Sequence, residues 1–209
     1  MTAGISIPHR THRGLAWVAI GLLAGSLGAC ASAKGRLDGA PPPAAIRSSD
    51  GQMIFHVFPY THAMERNVLG IHLFDNKQMA IGLKVERGDG APAEVLLRRQ
   101  DIQLVFEDGT QRYPIDPLKV YEENRIDTSR AAGAFGLVGF TIATARDNQR
   151  RANIDSVAID EWRLSAAVPS ANGLLFFDFN GIAKPRGRSL IIEYEDLTTS
   201  EVRRVEIAL

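Results

Sequence analysis

From Gln52 onward the chain alternates short apolar runs with turn-forming residues, a rhythm that few folds can accommodate. The runs are Met53–Phe58, Val68–Phe74, Met79–Glu86, Val95–Arg99, Ile102–Glu107, Leu174–Phe179, Ser189–Glu195 and Val202–Ala208. Each is short for a helix and suits a strand. Leu190, Ile192 and Tyr194 recur with period two, as do Val205, Ile207 and Leu209, which places each set on one face of a strand. Asp75-Asn76, Gly88-Asp89-Gly90, Asp108-Gly109, Asn172-Gly173 and Asn180-Gly181 punctuate the runs with residues that tolerate positive φ. The expected fold is mainly β, an antiparallel immunoglobulin-like β-sandwich over residues 51–209. A half-barrel packed on a helix is the alternative. The sequence lacks a Cys–Trp–Cys signature, so only the architecture is implied.

The N-terminus has another character. Arg10 and Arg13, with His9 and His12, precede an uncharged stretch from Gly14 to Ala33. Its strongly apolar part, Leu15–Leu27, is 13 residues long. A bilayer-spanning helix needs about 20 residues. The run is therefore short for a permanent span but suits the apolar region of a secretory signal helix. It ends Leu27-Gly28-Ala29-Cys30, and Cys30 is the only cysteine in the chain, so no intrachain disulfide can form.

This ending resembles a bacterial lipoprotein signal peptide, whose lipobox has Leu three residues before the Cys and small residues between. The resemblance covers about 30 residues. It implies cleavage between Ala29 and Cys30, a diacylglyceryl thioether on Cys30, and acylation of the new amino terminus. A thiol suits that reaction because sulfur is the best side-chain nucleophile. A buried apolar helix, or an ordinary secretory signal cut near Ala29-Cys30-Ala31 or Ala31-Ser32-Ala33, is the competing reading. In the family, Asp after the Cys favours the inner membrane. Ala31 and Ser32 stand here and imply the outer membrane of a Gram-negative envelope, with the domain facing the periplasm. The expected organisation is a signal peptide over 1–29, then the lipidated Cys and a linker over 30–50, stiffened by Pro41-Pro42-Pro43, then the domain. Losing residues 1–29 removes Arg10 and Arg13 and leaves 22 basic against 24 acidic groups. So balanced a charge draws the chain to no nucleic acid.

A helical insert is expected at about 116–163. Asp116-Pro117 supplies an N-cap with Pro at the first helical position, and Asp127-Thr128-Ser129 can cap a second helix. Residues 131–145 (AAGAFGLVGFTIATA) carry no charge and lie between Arg125 and Arg130 on one side and Arg146, Arg150 and Arg151 on the other. Ile154, Val157, Ala158 and Trp162 then follow at helical spacing. Gly133, Gly136 and Gly139 recur every third residue and offer a small-residue face. The segment can be core, a partner-binding or self-associating helix, or a membrane-facing one. Gly133, Gly136, Gly139 and Phe140 are the expected contact residues for an envelope partner or the lipid surface. Leu at Gly136 and Gly139 is then expected to weaken association without unfolding the domain.

Catalytic signatures are absent: no G-x-S-x-G, Walker A loop, H-E-x-x-H or G-x-G-x-x-G. All His and Met after residue 30 fall between Met53 and Met79, namely Met53, His56, His62, Met64, His72 and Met79. Imidazole with thioether is a copper-type donor set. The spacing shows no H-x-H or M-x-x-M, Met53 and Met79 suit core packing, and His56 and His72 interrupt apolar runs. No cofactor and no metal site is therefore expected; His56, His62, Met64 and His72 are the residues from which one would be drawn. The functional expectation is a non-enzymatic envelope lipoprotein, anchored by its lipid and binding an envelope protein or supporting an assembly. The alternative is a periplasmic metal-binding or chaperone domain.

Overall fold

The computed structural model describes residues 45–209. The expected signal peptide, Cys30 and the expected linker up to residue 44 lie outside the described residues. The domain is an antiparallel β-sandwich with a helical insert, as expected, and helices cover one outer face. Its first sheet runs in the order β1 (Ile46–Ser49), β2 (Met53–Pro59), β3 (Gln78–Arg87), β8 (Ser170–Asp178). The second contains β4 (Glu94–Arg98), β5 (Ile102–Phe106), β6 (Gln111–Arg112), β7 (Glu161–Ser165), β9 (Gly187–Asp196) and β10 (Glu201–Ala208).

β9 is the axis of the second sheet. β10 pairs along its whole length, from Glu201 opposite Asp196 to Ala208 opposite Ser189. Ile192 also pairs Ile102 of β5, and Asp196 also pairs Val95 of β4. β4 and β5 therefore lie end to end along the other edge of β9, as one strand broken by the 3-10 turn Arg99–Asp101. β7 then pairs the β4 half and β6 the β5 half.

Period two decides which side chains enter the sandwich. Met53, Phe55 and Val57 of β2 and Ile81, Leu83 and Val85 of β3 meet Ile102, Leu104, Leu190, Ile192 and Tyr194 of the opposite sheet. β8 differs, because Leu174, Leu175, Phe176 and Phe177 are all buried. Leu175 and Phe177 face the sandwich interior, whereas Leu174 and Phe176 face a second cluster on the outside of the first sheet. A strand covered on both faces reads as a continuous apolar run rather than an alternating one.

That second cluster is made by the helices. Leu69, Ile71 and Leu73, Val120 of α2 (Pro117–Asn124), and Ile154 and Val157 of α3 (Thr128–Val157) pack on Ala80, Leu174 and Phe176. Asp116 caps α2 by accepting the Leu118 N–H at 2.8 Å, with Pro117 at the first position. Buried Gln78 of β3 fixes the other end of α2: its amide donates to Glu123 and its carbonyl accepts from Asn124 Nδ2 at 2.8 Å.

Four expectations are corrected. Val68–Phe74 is not a strand; it contains the end of α1 (His62–Val68) and the start of a 3-10 turn, Leu73–Asn76. Its period-two apolar residues Leu69, Ile71 and Leu73 are all buried, but against the face of the sheet and without a ladder partner. Asn172-Gly173 is no turn, because both residues lie inside β8. Gly173 is there for close approach: a Cβ would stand 2.6 Å from Ile159 Cγ1 and 2.9 Å from the Val157 carbonyl. Trp162 does not continue the helical stripe of Ile154 and Val157; it belongs to β7, so the helical insert ends at Val157. β1 occupies Ile46–Ser49, inside the expected linker, and pairs β2.

Gly82 of β3 lies opposite Phe58 of β2, and an added Cβ would overlap the Phe58 ring. Gly82→Ala is expected to destabilise the domain by about 1–3 kcal/mol through overpacking. Urea unfolding checks this, with partial recovery expected when Phe58→Leu is added to the same chain.

Candidate functional site

The insert holds the most conspicuous surface. Within Thr128–Val157, Gly136 adopts φ 61° and ψ −150°, a backbone conformation open essentially to glycine alone. The kink divides α3, and the portion after it is seated from its C-terminal end. Ile154 and Val157 enter the outer cluster. The buried Asp147 carboxylate accepts the Tyr121 hydroxyl at 2.6 Å and the Ile126 N–H at 2.8 Å, tying α2 and the α2–α3 link to this helix. That bond to Asp147 holds the Tyr121 phenol above its ordinary pKa.

Towards Gly136 only one side of α3 is covered. Gly139 and Ala143 are buried, four residues apart on one face. Leu137 is 85% exposed, Val138 68%, Phe140 45% and Ile142 41%. At 100° per residue Leu137, Thr141 and Val138 point away from Gly139 and Ala143, whereas Phe140 and Ile142 flank the covered side on either hand. A Cβ at Gly133 or Gly136 would meet nothing within 4 Å. The three glycines therefore do not form one packing face. Gly136 sets the kink, Gly139 is covered, and Phe140 belongs to an apolar surface whose main members, Leu137 and Val138, glycine spacing did not single out. The Gly136→Leu substitution is also a poor probe of association, because it strains the backbone whether or not a partner binds.

The His and Met residues divide. Met53 is buried in the sandwich, and Met79 packs against its edge. His56 on β2 lies 3.2 Å from Glu86 Oε2, whose other oxygen is 2.6 Å from Lys84 Nζ. Lys84 first, and His56 after it, hold the Glu86 carboxyl below its usual range. His62 and His72, by contrast, converge. Thr61 caps α1 and starts a helix in which His62 and Glu65 stand three residues apart on one face, while Met64 points elsewhere. His72 follows just before the 3-10 turn, and the two rings are 6.1 Å apart. Glu65 between them is buried, and its Oε2 accepts the Leu73 N–H at 3.3 Å. Sequence reasoning passed over Glu65 because Val68–Phe74 read as a strand; a Thr61 cap followed by H-x-x-E was the available signal.

Beside His72 an open cleft is lined by Arg66, Asp75, Glu123, Asn124, Arg125 and Arg150. Cations and carboxylates are mixed along its wall, and burial lowers the Arg150 pKa. Across the molecule, Asp50 accepts the Tyr194 hydroxyl and the N–H groups of Gln52 and Met53, at 2.9 and 2.7 Å. Burial opposes ionisation of Asp50, yet these bonds prevail and keep its pKa below the ordinary value. Arg150 donates to the Asn124 carbonyl at 3.3 Å and holds the end of α2, and Asp50 holds the start of β2.

No protein-family model, curated protein or solved structure matches this chain. Among the described residues, no helix is long and apolar enough to cross a membrane.

Proposed function

We propose that this protein is a non-enzymatic lipoprotein of a bacterial outer membrane, tethered through Cys30 and working by binding a second envelope protein. The sandwich is the scaffold, and the segment of α3 from Leu137 to Ile142 is the contact surface. One observation carries the binding role: four large apolar side chains stand exposed within six residues of a helix whose C-terminal part is anchored on the sheet through Ile154 and Val157. Water-exposed Leu, Val, Phe and Ile gathered within six residues are unfavourable in an isolated molecule and mark an interaction surface. The anchor is supported by Leu27-Gly28-Ala29-Cys30 behind a basic, then apolar leader. The outer membrane is supported by Ala31 and Ser32 after the cysteine.

A photo-crosslinking residue at Val138, compared in cells with one at exposed Val202 on β10, tests the reading. A discrete protein–protein adduct is expected from position 138 and not from 202. The double variant Leu137→Asp, Val138→Asp is expected to abolish that adduct while changing stability by no more than about 0.5 kcal/mol, as surface substitutions do. Adducts to phospholipid alone, or equal adducts from both positions, contradict a protein partner. Unfolding of the double variant shows that the segment is core.

A further inference from the structure

We propose that His62, Glu65 and His72 form a binding site for a divalent transition-metal ion, with Zn2+ as the best-suited occupant. This goes beyond the binding role above and stands independently of it. Two imidazoles and a carboxylate each offer a ligand atom, and these atoms all lie within 4.8 Å of one another. A tetrahedral zinc ion holds such ligands at about 2.0–2.2 Å, which sets neighbouring donors about 3.3 Å apart. His62 Nδ1 and Glu65 Oε2 are already 3.7 Å apart. The remaining approach falls to His62, whose side chain is 65% exposed with its ring edge-on to Phe74, and to half-buried His72.

Glu65 gives the arrangement its direction. Its carboxylate is almost wholly buried, and among the described residues its ion-pair partner is His62 alone, with no Lys or Arg. Burial raises its pKa, opposed by the Leu73 N–H and by His62, while Asp75 adds to the rise. A buried carboxylate without a fixed cation is costly, and a metal ion supplies the missing charge. The Leu73 N–H holds one oxygen in place, as a supporting bond commonly does for a metal ligand. The donors also choose the ion. Imidazole with carboxylate suits Zn2+, Cu2+ or Co2+, whereas Cu(I) prefers thioether and thiolate. Met64, at i+2 from His62, points away from the His62–Glu65 face. Three protein ligands leave one position for water or a further donor, and an ion there would clamp α1 to the 3-10 turn that follows it.

The test is titration of the full-length protein, stripped with chelator, by Zn2+ in a calorimeter and by Co2+ in a visible spectrophotometer. One saturable site with micromolar or tighter affinity is expected, with a Co2+ absorption band and a rise in melting temperature on Zn2+ addition. His62→Ala and His72→Ala are each expected to weaken binding at least tenfold. Glu65→Gln is expected to do the same while melting, metal-free, no lower than the parent, which separates lost ligation from lost folding. Met64→Leu and His56→Ala are expected to leave binding unchanged. Absence of saturable binding at micromolar metal, or binding that survives both His62→Ala and His72→Ala, overturns the proposal. Loss of binding in Met64→Leu or His56→Ala does so as well.

Discussion

Phe177→Ala is expected to remove about 3–5 kcal/mol from the stability of the domain, and Phe176→Ala a similar amount from a different layer. The two residues are adjacent on β8, fully buried, and point in opposite directions. Phe177 fills the interior between the sheets with Phe55, Leu83 and Leu104. Phe176 anchors the helical cover with Leu69, Leu73, Val120 and Ile154. Domains of this kind carry roughly 5–15 kcal/mol in total, so either truncation takes a large share. Hydrogen exchange tells the layers apart. In Phe177→Ala, protection is expected to fall across β3, β8 and β9 together. In Phe176→Ala it is expected to fall first in α2 and the C-terminal part of α3, with β9 and β10 amides keeping most of theirs. Equal losses in both layers from both variants contradict a two-layer division of the core.

The strands facing the sandwich interior were the easiest to read. β2 and β10 alternate over most of their length, whereas β3, β5 and β9 alternate only in part and carry buried runs at residues 80–83, 104–106 and 189–192. β1 and β7 went unread because each has little to bury: four residues alternating half-buried and exposed in the one, a single buried Leu164 in the other. Their strand character comes from the partners β2 and β4, which no local pattern announces. The error at Val68–Phe74 has the same origin in reverse. A loop laid flat on a sheet buries alternate residues as a strand does, and only hydrogen bonds separate the two. At the candidate surface, absence of charge marked residues 131–145 correctly as unusual. It could not show which side is covered, since that depends on the kink at Gly136 and the clamp at Asp147. The convergence of His62, Glu65 and His72 likewise depends on where α1 ends.

The other large effect concerns attachment. Replacing residues 1–30 by an ordinary cleavable secretory signal is expected to shift the protein almost completely from the membrane pellet to the soluble periplasmic fraction. Each buried methylene contributes about 0.8 kcal/mol, so one acyl chain holds a protein reversibly and two or more hold it stably. No helix among the described residues can replace such an anchor by crossing the bilayer. The exposed patch of Leu137, Val138, Phe140 and Ile142 is too small to take over that role, so little of the protein is expected to remain with the membrane. A large membrane-bound remainder that persists when Leu137→Asp and Val138→Asp are added contradicts attachment by lipid. Cys30→Ser, in contrast, is expected to leave the leader uncut, because in the family this leader resembles the thioether forms before cleavage. Its product is then larger than the mature protein by residues 1–29.

Mass spectrometry of the N-terminal peptide from the natural protein tests the anchor most directly. The account predicts a peptide that begins at Cys30 and carries a diacylglyceryl thioether and an acylated amino group. A free thiol at Cys30, or a chain that still begins at Met1, contradicts it.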